Sequence, residues 1–214
     1  MRRLLLLLLA LALPLSVMAE PVDDALAGLG KAYGDVKAVR AGFSQVTSGM
    51  SYMEPMRQTG TIAVEAPGKM RWDFQTPRKT VYITDGDTLW VVDEGDKTTQ
   101  VFQSVDGLVA QIYGFLTGTA DLRSDFRVSI ATDAPKGLED SIQLKLVPKE
   151  SSGAYESLRL YLDKTTHRVV GLSTLSAFGD RTDMSLSEVE VLDDLPDADF
   201  VYSKREGFRE IQAD

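Results

Sequence analysis

The sequence contains no cysteine and a single histidine. Without cysteine there is no thiol nucleophile, no disulfide, and no attachment point for a bacterial lipid anchor, which requires a cysteine directly after a signal peptide. One histidine, His167, leaves a zinc site short of its usual His and Cys ligands. It lies in "DKTTHR", which reads as a solvated hairpin turn, and no Gly-x-Ser-x-Gly elbow accompanies it, so Ser-His-Asp hydrolysis has no support. Basic residues are scarce, 23 Lys and Arg against 32 Asp and Glu, for a net charge of −9. Such a chain repels phosphate backbones, which argues against nucleic acid as a partner. No apolar run approaches the roughly 20 residues of a membrane-spanning helix.

What is present starts with "MRRLLLLLLALALPLSVMAEP". Arg2 and Arg3 form a basic region, residues 4–13 an apolar run, and Val17-Met18-Ala19 a small-residue cleavage site; residues 1–19 are therefore expected to be a secretory signal peptide. Loss of Arg2 and Arg3 lowers the basic count from 23 to 21 and moves the net charge from −9 to about −11. Residues 20–214 are expected to form a single exported domain, large enough to stand on hydrophobic burial.

Periodicity divides that domain into helices and strands. Val22, Leu26, Leu29, Tyr33 and Val36 fall on one helical stripe. From Phe43 onward the segments "FSQV", "GTIAV", "KMRWDF", "TVYIT" and "TLWVV" are short, rich in β-branched and aromatic residues, and separated by turn signals such as Asp85-Gly86. A second, strongly apolar helix is expected over residues 104–118. Strands resume at residues 126–130, 141–147, 157–163, 167–174 and 183–192, and "FVYS" adds one more. About 10–11 antiparallel strands with two or three helices predict a mainly β (α+β) fold, a curved sheet or barrel. The segment 48–60, with Met50, Tyr52, Met53 and Met56 around the loop signals Gly49 and Pro55, reads as a loop, either packed against the rim of the barrel or a pliable edge that contacts a ligand or a membrane partner.

In "PGKMRWDFQTP" a period of two places Met70, Trp72 and Phe74 on one strand face and Lys69, Arg71, Asp73 and Gln75 on the other. The apolar face is either packed core or a surface kept for a greasy ligand. The order "AGFSQV", "GTIAVEAPGKMRW", "TPRKTVYITDGDTLWVVD" and "TTQVF" resembles the LolA-type outer-membrane lipoprotein carriers, through Phe43, Gln45, Gly60, Pro67, Trp72, Pro77, Asp85, Gly86, Leu89 and Trp90.

That resemblance implies an incomplete antiparallel β-barrel with helices as a lid over an apolar cavity. It also implies a soluble periplasmic chaperone, not an enzyme and without a cofactor. The partners it implies are acylated lipoproteins, an inner-membrane ATP-driven lipoprotein-releasing transporter and an outer-membrane acceptor lipoprotein, with the carrier monomeric in transit. The lipid-binding residues expected on this basis are Met70, Trp72, Phe74 and Trp90 on the sheet wall, and Leu29, Tyr33, Val36, Ile112 and Leu116 on the lid. One departure stands out: carriers of this type often have an Arg just before the strand proline that bonds to lid carbonyls, and here that position is Ala66. The alternative function is an envelope sensor that binds lipidated or misfolded ligands.

Overall fold

The computed structural model describes residues 21–105, 107–118, 120–151, 153 and 155–213. The expected signal peptide, residues 1–19, lies outside the described residues. Helix α1 spans Pro21–Tyr33, with Asp23 and Asp24 in its first turn, where the positive end of the helix dipole favours them, and Lys31 in its last. Eleven strands then follow with two helices between the sixth and seventh: β1 Ala38–Ser48, β2 Met56–Glu65, β3 Lys69–Thr76, β4 Thr80–Thr84, β5 Leu89–Asp93, β6 Thr98–Phe102, α2 Gly107–Thr117, the single-turn α3 Leu122–Asp125, β7 Phe126–Ile130, β8 Ser141–Pro148, β9 Ser157–Asp163, β10 Val169–Leu175 and β11 Arg181–Leu192. A 3-10 turn at Asp197–Phe200 leads to β12, Arg209–Ala213.

All twelve strands form one sheet in the order β12-β6-β5-β4-β3-β2-β1-β11-β10-β9-β8-β7, so β12 and β7 are its two edges. Neighbours pair antiparallel except β12, which runs parallel to β6. This differs from the expected 10–11 antiparallel strands: "FVYS" forms the end of the 3-10 turn and coil, and the last strand comes from residues 209–213. Three irregularities in register bend the sheet. They lie opposite Ala41 on β11, at Val170 on β10 and at Gln75 on β3. Each inserts an extra residue on one strand, which increases local twist and lets a long sheet curl.

Alternation then decides what faces inward. Leu158, Leu160 and Leu162 of β9, Leu144 and Leu146 of β8, and Val39, Ala41 and Phe43 of β1 all belong to one buried cluster on the concave face. Ala25, Leu29 and Tyr33 of α1 and Ile112, Phe115 and Leu116 of α2 complete that cluster, so both helices lie across the hollow of the sheet. The convex face carries two smaller clusters, Ala38 with Leu195 and Phe200, and Val81, Ile83 and Val92 with Trp90, Tyr202 and Phe208. The C-terminal segment thus covers part of the outside of the barrel. Among the described residues no helix is long and apolar enough to cross a membrane.

Candidate functional site

The aromatic wall is built by three strands. Trp72 and Phe74 are two apart on β3, Tyr82 is the cross-strand partner of Trp72 on β4, and Phe43 reaches in from β1. Ring centroids are 4.8 Å apart for Trp72 and Phe74, 5.1 Å for Phe43 and Phe74, 5.8 Å for Phe43 and Trp72, and 5.9 Å for Trp72 and Tyr82. Gly60 of β2 makes this possible: a Cβ there would meet the Asp73 carbonyl oxygen at 1.8 Å and the Phe43 ring at 2.8 Å.

Beside this wall opens a cavity of about 480 Å³, bounded by Trp72, Phe74, Tyr82, Leu172 and Met184 from the sheet, Val109 and Ile112 from α2, and Tyr52 and Met56 at the rim. A hydrophobic cavity of about 150 Å³ holds benzene, so this one has room for roughly three such rings, on the order of the carbon count of one long acyl chain. Deeper in, Ile112, Phe115 and Leu116 press on Leu160, Val169 and Leu172, leaving a gap of only about 10 Å³. A second hollow of about 540 Å³ lies along the seam of α1 with α2 and α3, lined by Leu26, Leu29, Gly30, Phe115 and Leu122 and crossed by the Asp23–Arg123 ion pair.

Met70, Trp72, Phe74, Leu29, Tyr33, Ile112 and Leu116 lie together in the concave cluster, and Val36, just past the end of α1, packs against it half-buried. Trp90 does not join them. It is the cross-strand partner of Ile83, which faces out, and stacks on Tyr202 at 5.6 Å on the convex side. The reason is visible locally: Leu89, Trp90, Val91 and Val92 are all apolar, so alternation gives no phase for β5.

Two tyrosine hydroxyls tie the helices to the sheet. Tyr33 of α1 accepts from the Val169 N–H at 3.1 Å, and Tyr113 of α2 accepts from the Gly68 N–H at 2.6 Å. Burial holds the Tyr33 phenol above its ordinary pKa, opposed by that backbone bond and by Arg168. The second bond falls in the turn that follows Ala66, so α2 is fastened two residues beyond that position.

The cavity also has a polar band that sequence reading overlooked: Gln45, Thr47, Gln58, Thr80, Thr174 and Thr182. The signal was there in β1, since Gln45 and Thr47 continue the inward phase of Val39, Ala41 and Phe43. At the adjoining rim Met50 and Met53 are 94% and 104% exposed and Phe178 80%. Their loops are joined by a bond from Ser51 N–H to the Asp180 carboxylate. The expected loop over 48–60 is therefore shorter than the sequence suggests: residues 49–55 connect the strands, with Met50 and Met53 pointing into solvent. Ser48 ends β1, residues 56–60 already belong to β2 through its pairing with β1, and Met56 lines the cavity. His167 sits in the β9–β10 turn at φ 57°, its N–H donating to the Asp163 carbonyl, and its ring lies against Gly28 of α1. Among the described residues no group of His, Cys, Asp and Glu is placed to hold a metal ion.

Comparison with known proteins gives consistent matches. The family model "Outer membrane lipoprotein carrier protein LolA" matches residues 34–203. An outer-membrane lipoprotein carrier protein of Dechloromonas aromatica is 27% identical over 195 residues, 91% of this chain and 89% of that protein. One from Bordetella avium is 28% identical over 203 residues, 94% of this chain and 91% of that protein. Among solved structures, an uncharacterized conserved protein from Thermus thermophilus shares the fold at a TM-score of 0.57 and 11% identity, covering 91% of this chain and 100% of that one.

Proposed function

Because the chain belongs to the LolA family of outer membrane lipoprotein carrier proteins, we propose that it is a periplasmic carrier. In this reading it takes acylated lipoproteins from an ATP-driven transporter in the inner membrane, shields their acyl chains, and delivers them to an acceptor lipoprotein at the outer membrane. Residues 1–19 serve as the export signal, residues 20–214 work as one monomeric domain, and no covalent chemistry is performed.

The observation that carries this reading is an apolar, aromatic-walled hollow of about 480 Å³ left open beside a helix that packs across the concave sheet. An acyl chain of about 16 carbons exposed to water costs roughly 13 kcal/mol at about 0.8 kcal/mol per methylene. Transfer from a bilayer into such a hollow exchanges one hydrocarbon-like environment for another and leaves binding reversible. Leu29, Tyr33, Val36, Ile112 and Leu116 act as the lid, filling the hollow when it is empty and yielding when a chain enters. Met70, Trp72 and Phe74 act as the wall. Trp90, stacked on the outside, supports the barrel from behind.

Incubation with spheroplasts tests the proposal. A carrier releases lipoproteins into the soluble fraction as one-to-one complexes. Lipoproteins that stay on the membrane, or emerge with altered acyl content, contradict it.

A further inference from the structure

The concave face changes character along the strand direction. On β1 the inward positions are Val39, Ala41 and Phe43, followed by Gln45 and Thr47 toward the open rim. Gln45 pairs across strands with Gln58, and Thr47 with Thr182, so the change continues across three neighbouring strands. Gln45 and Thr47 are only 7% and 6% exposed, and polar groups are not buried beside an apolar hollow without partners. Thr47 and Thr182 satisfy each other at 2.9 Å. The Gln45 amide nitrogen donates to the Gln58 carbonyl oxygen at 2.8 Å, which uses one of the donors and acceptors that two amides carry.

Trp72 supplies the second observation. It lines the same hollow, is 6% exposed, and its indole Nε1–H is sealed from solvent with no acceptor. A buried donor without a partner destabilises the empty state. Val109 and Ile112 of α2 line the hollow together with Trp72, so a guest that enters between helix and wall can bring an acceptor to this indole.

Resting on the carrier reading, we propose that this band recognises the carbonyl-bearing linkage of an acylated guest and not the hydrocarbon alone. The tail points toward the Val39 end of the face. Ester or amide carbonyl oxygens accept from Trp72 Nε1–H and the Gln58 amide nitrogen, and the Gln45 carbonyl oxygen takes an O–H or N–H of the guest. The site is selective for acyl esters and amides over ethers of the same length, and it fixes which end of the guest lies at the mouth.

The test compares 1-monopalmitoylglycerol with 1-O-hexadecylglycerol, equal in chain length and headgroup but differing by one carbonyl. Affinities are read by displacement of a fluorescent fatty-acid probe, and the two indole N–H resonances, Trp72 and Trp90, are followed by ¹⁵N NMR in the unmutated protein. The expected result is a preference of about tenfold for the ester, with a downfield shift of the Trp72 indole N–H on ester binding only and no movement of Trp90. In Trp72→Phe and in Gln58→Leu the ester preference collapses toward one. Equal affinity for both probes with equal indole shifts overturns this inference and leaves the carrier reading standing. If neither probe binds, the carrier reading falls with it.

Discussion

The hydroxyl of Tyr113, in the middle of α2, accepts a 2.6 Å hydrogen bond from the backbone N–H of Gly68, in the turn between β2 and β3. That turn follows Ala66, and a single phenol fastens α2 where the side chain at position 66 has nothing to offer. Tyr113→Phe removes the acceptor and with it this hydrogen bond between α2 and the β2–β3 turn. A typical bond of this kind contributes about 1 kcal/mol net, so local opening of α2 is expected to increase about fivefold. Hydrogen exchange of the α2 amides checks this. Unchanged exchange means the phenol does not fasten the lid.

The two tryptophans separate inside from outside. Trp72 lines the hollow, while Trp90 stacks on Tyr202 behind the sheet. A fatty acid brominated along its chain is therefore expected to quench the fluorescence of a Trp90→Phe variant, which retains Trp72. A Trp72→Phe variant, retaining Trp90, is expected to be left nearly untouched. Comparable quenching of both contradicts the assignment of faces.

Gly28 and His167 fit each other by the absence of a side chain. A Cβ on Gly28 would lie 2.2 Å from His167 Cδ2, so Gly28→Ala in α1 is expected to destabilise by about 1–3 kcal/mol through overpacking. His167 itself has φ 57°, a conformation glycine adopts freely. In a His167→Gly background the clash is gone, and Gly28→Ala is expected to become stabilising by about 1 kcal/mol through helix propensity. Thermal melts of the four proteins close the cycle. Additive effects contradict the contact.

Three tyrosines, Tyr33, Tyr82 and Tyr155, have phenols raised above their ordinary pKa, each chiefly by burial. The folded state therefore holds these protons more tightly than the unfolded chain. The stability this confers is complete below the ordinary phenol value near 10 and is lost as pH rises above it and through the folded values. Melting temperature is expected to fall with pH from about 10 upward, and Tyr33→Phe to flatten that fall. A melting temperature that holds steady well above pH 10 contradicts burial of these phenols.

Much of this architecture was legible in the chain. The phase of Met70, Trp72 and Phe74 is unambiguous because charged or polar residues separate them, and the structure puts all three in the concave cluster. Trp90 lacked such spacing, and only the pairing of β5 with β4 sets its face. The C-terminal strand was hidden for another reason. "REIQA" is mostly exposed and has no apolar alternation of its own, so its identity as a strand comes from the β6 edge it pairs with. The polar band escaped because buried Gln45 and Thr47 break the rule that inward positions are apolar, and such breaks are expected where a site is built.

The central claim is that the hollow under α2 takes up a hydrocarbon chain reversibly. Its most direct test is calorimetric titration of residues 20–214 with a palmitoylated peptide and with the same peptide unacylated, at several temperatures. The account predicts saturable one-to-one binding of the acylated peptide with a negative heat-capacity change, the mark of apolar burial, and no binding of the other. Equal binding of both peptides, or of neither, contradicts it.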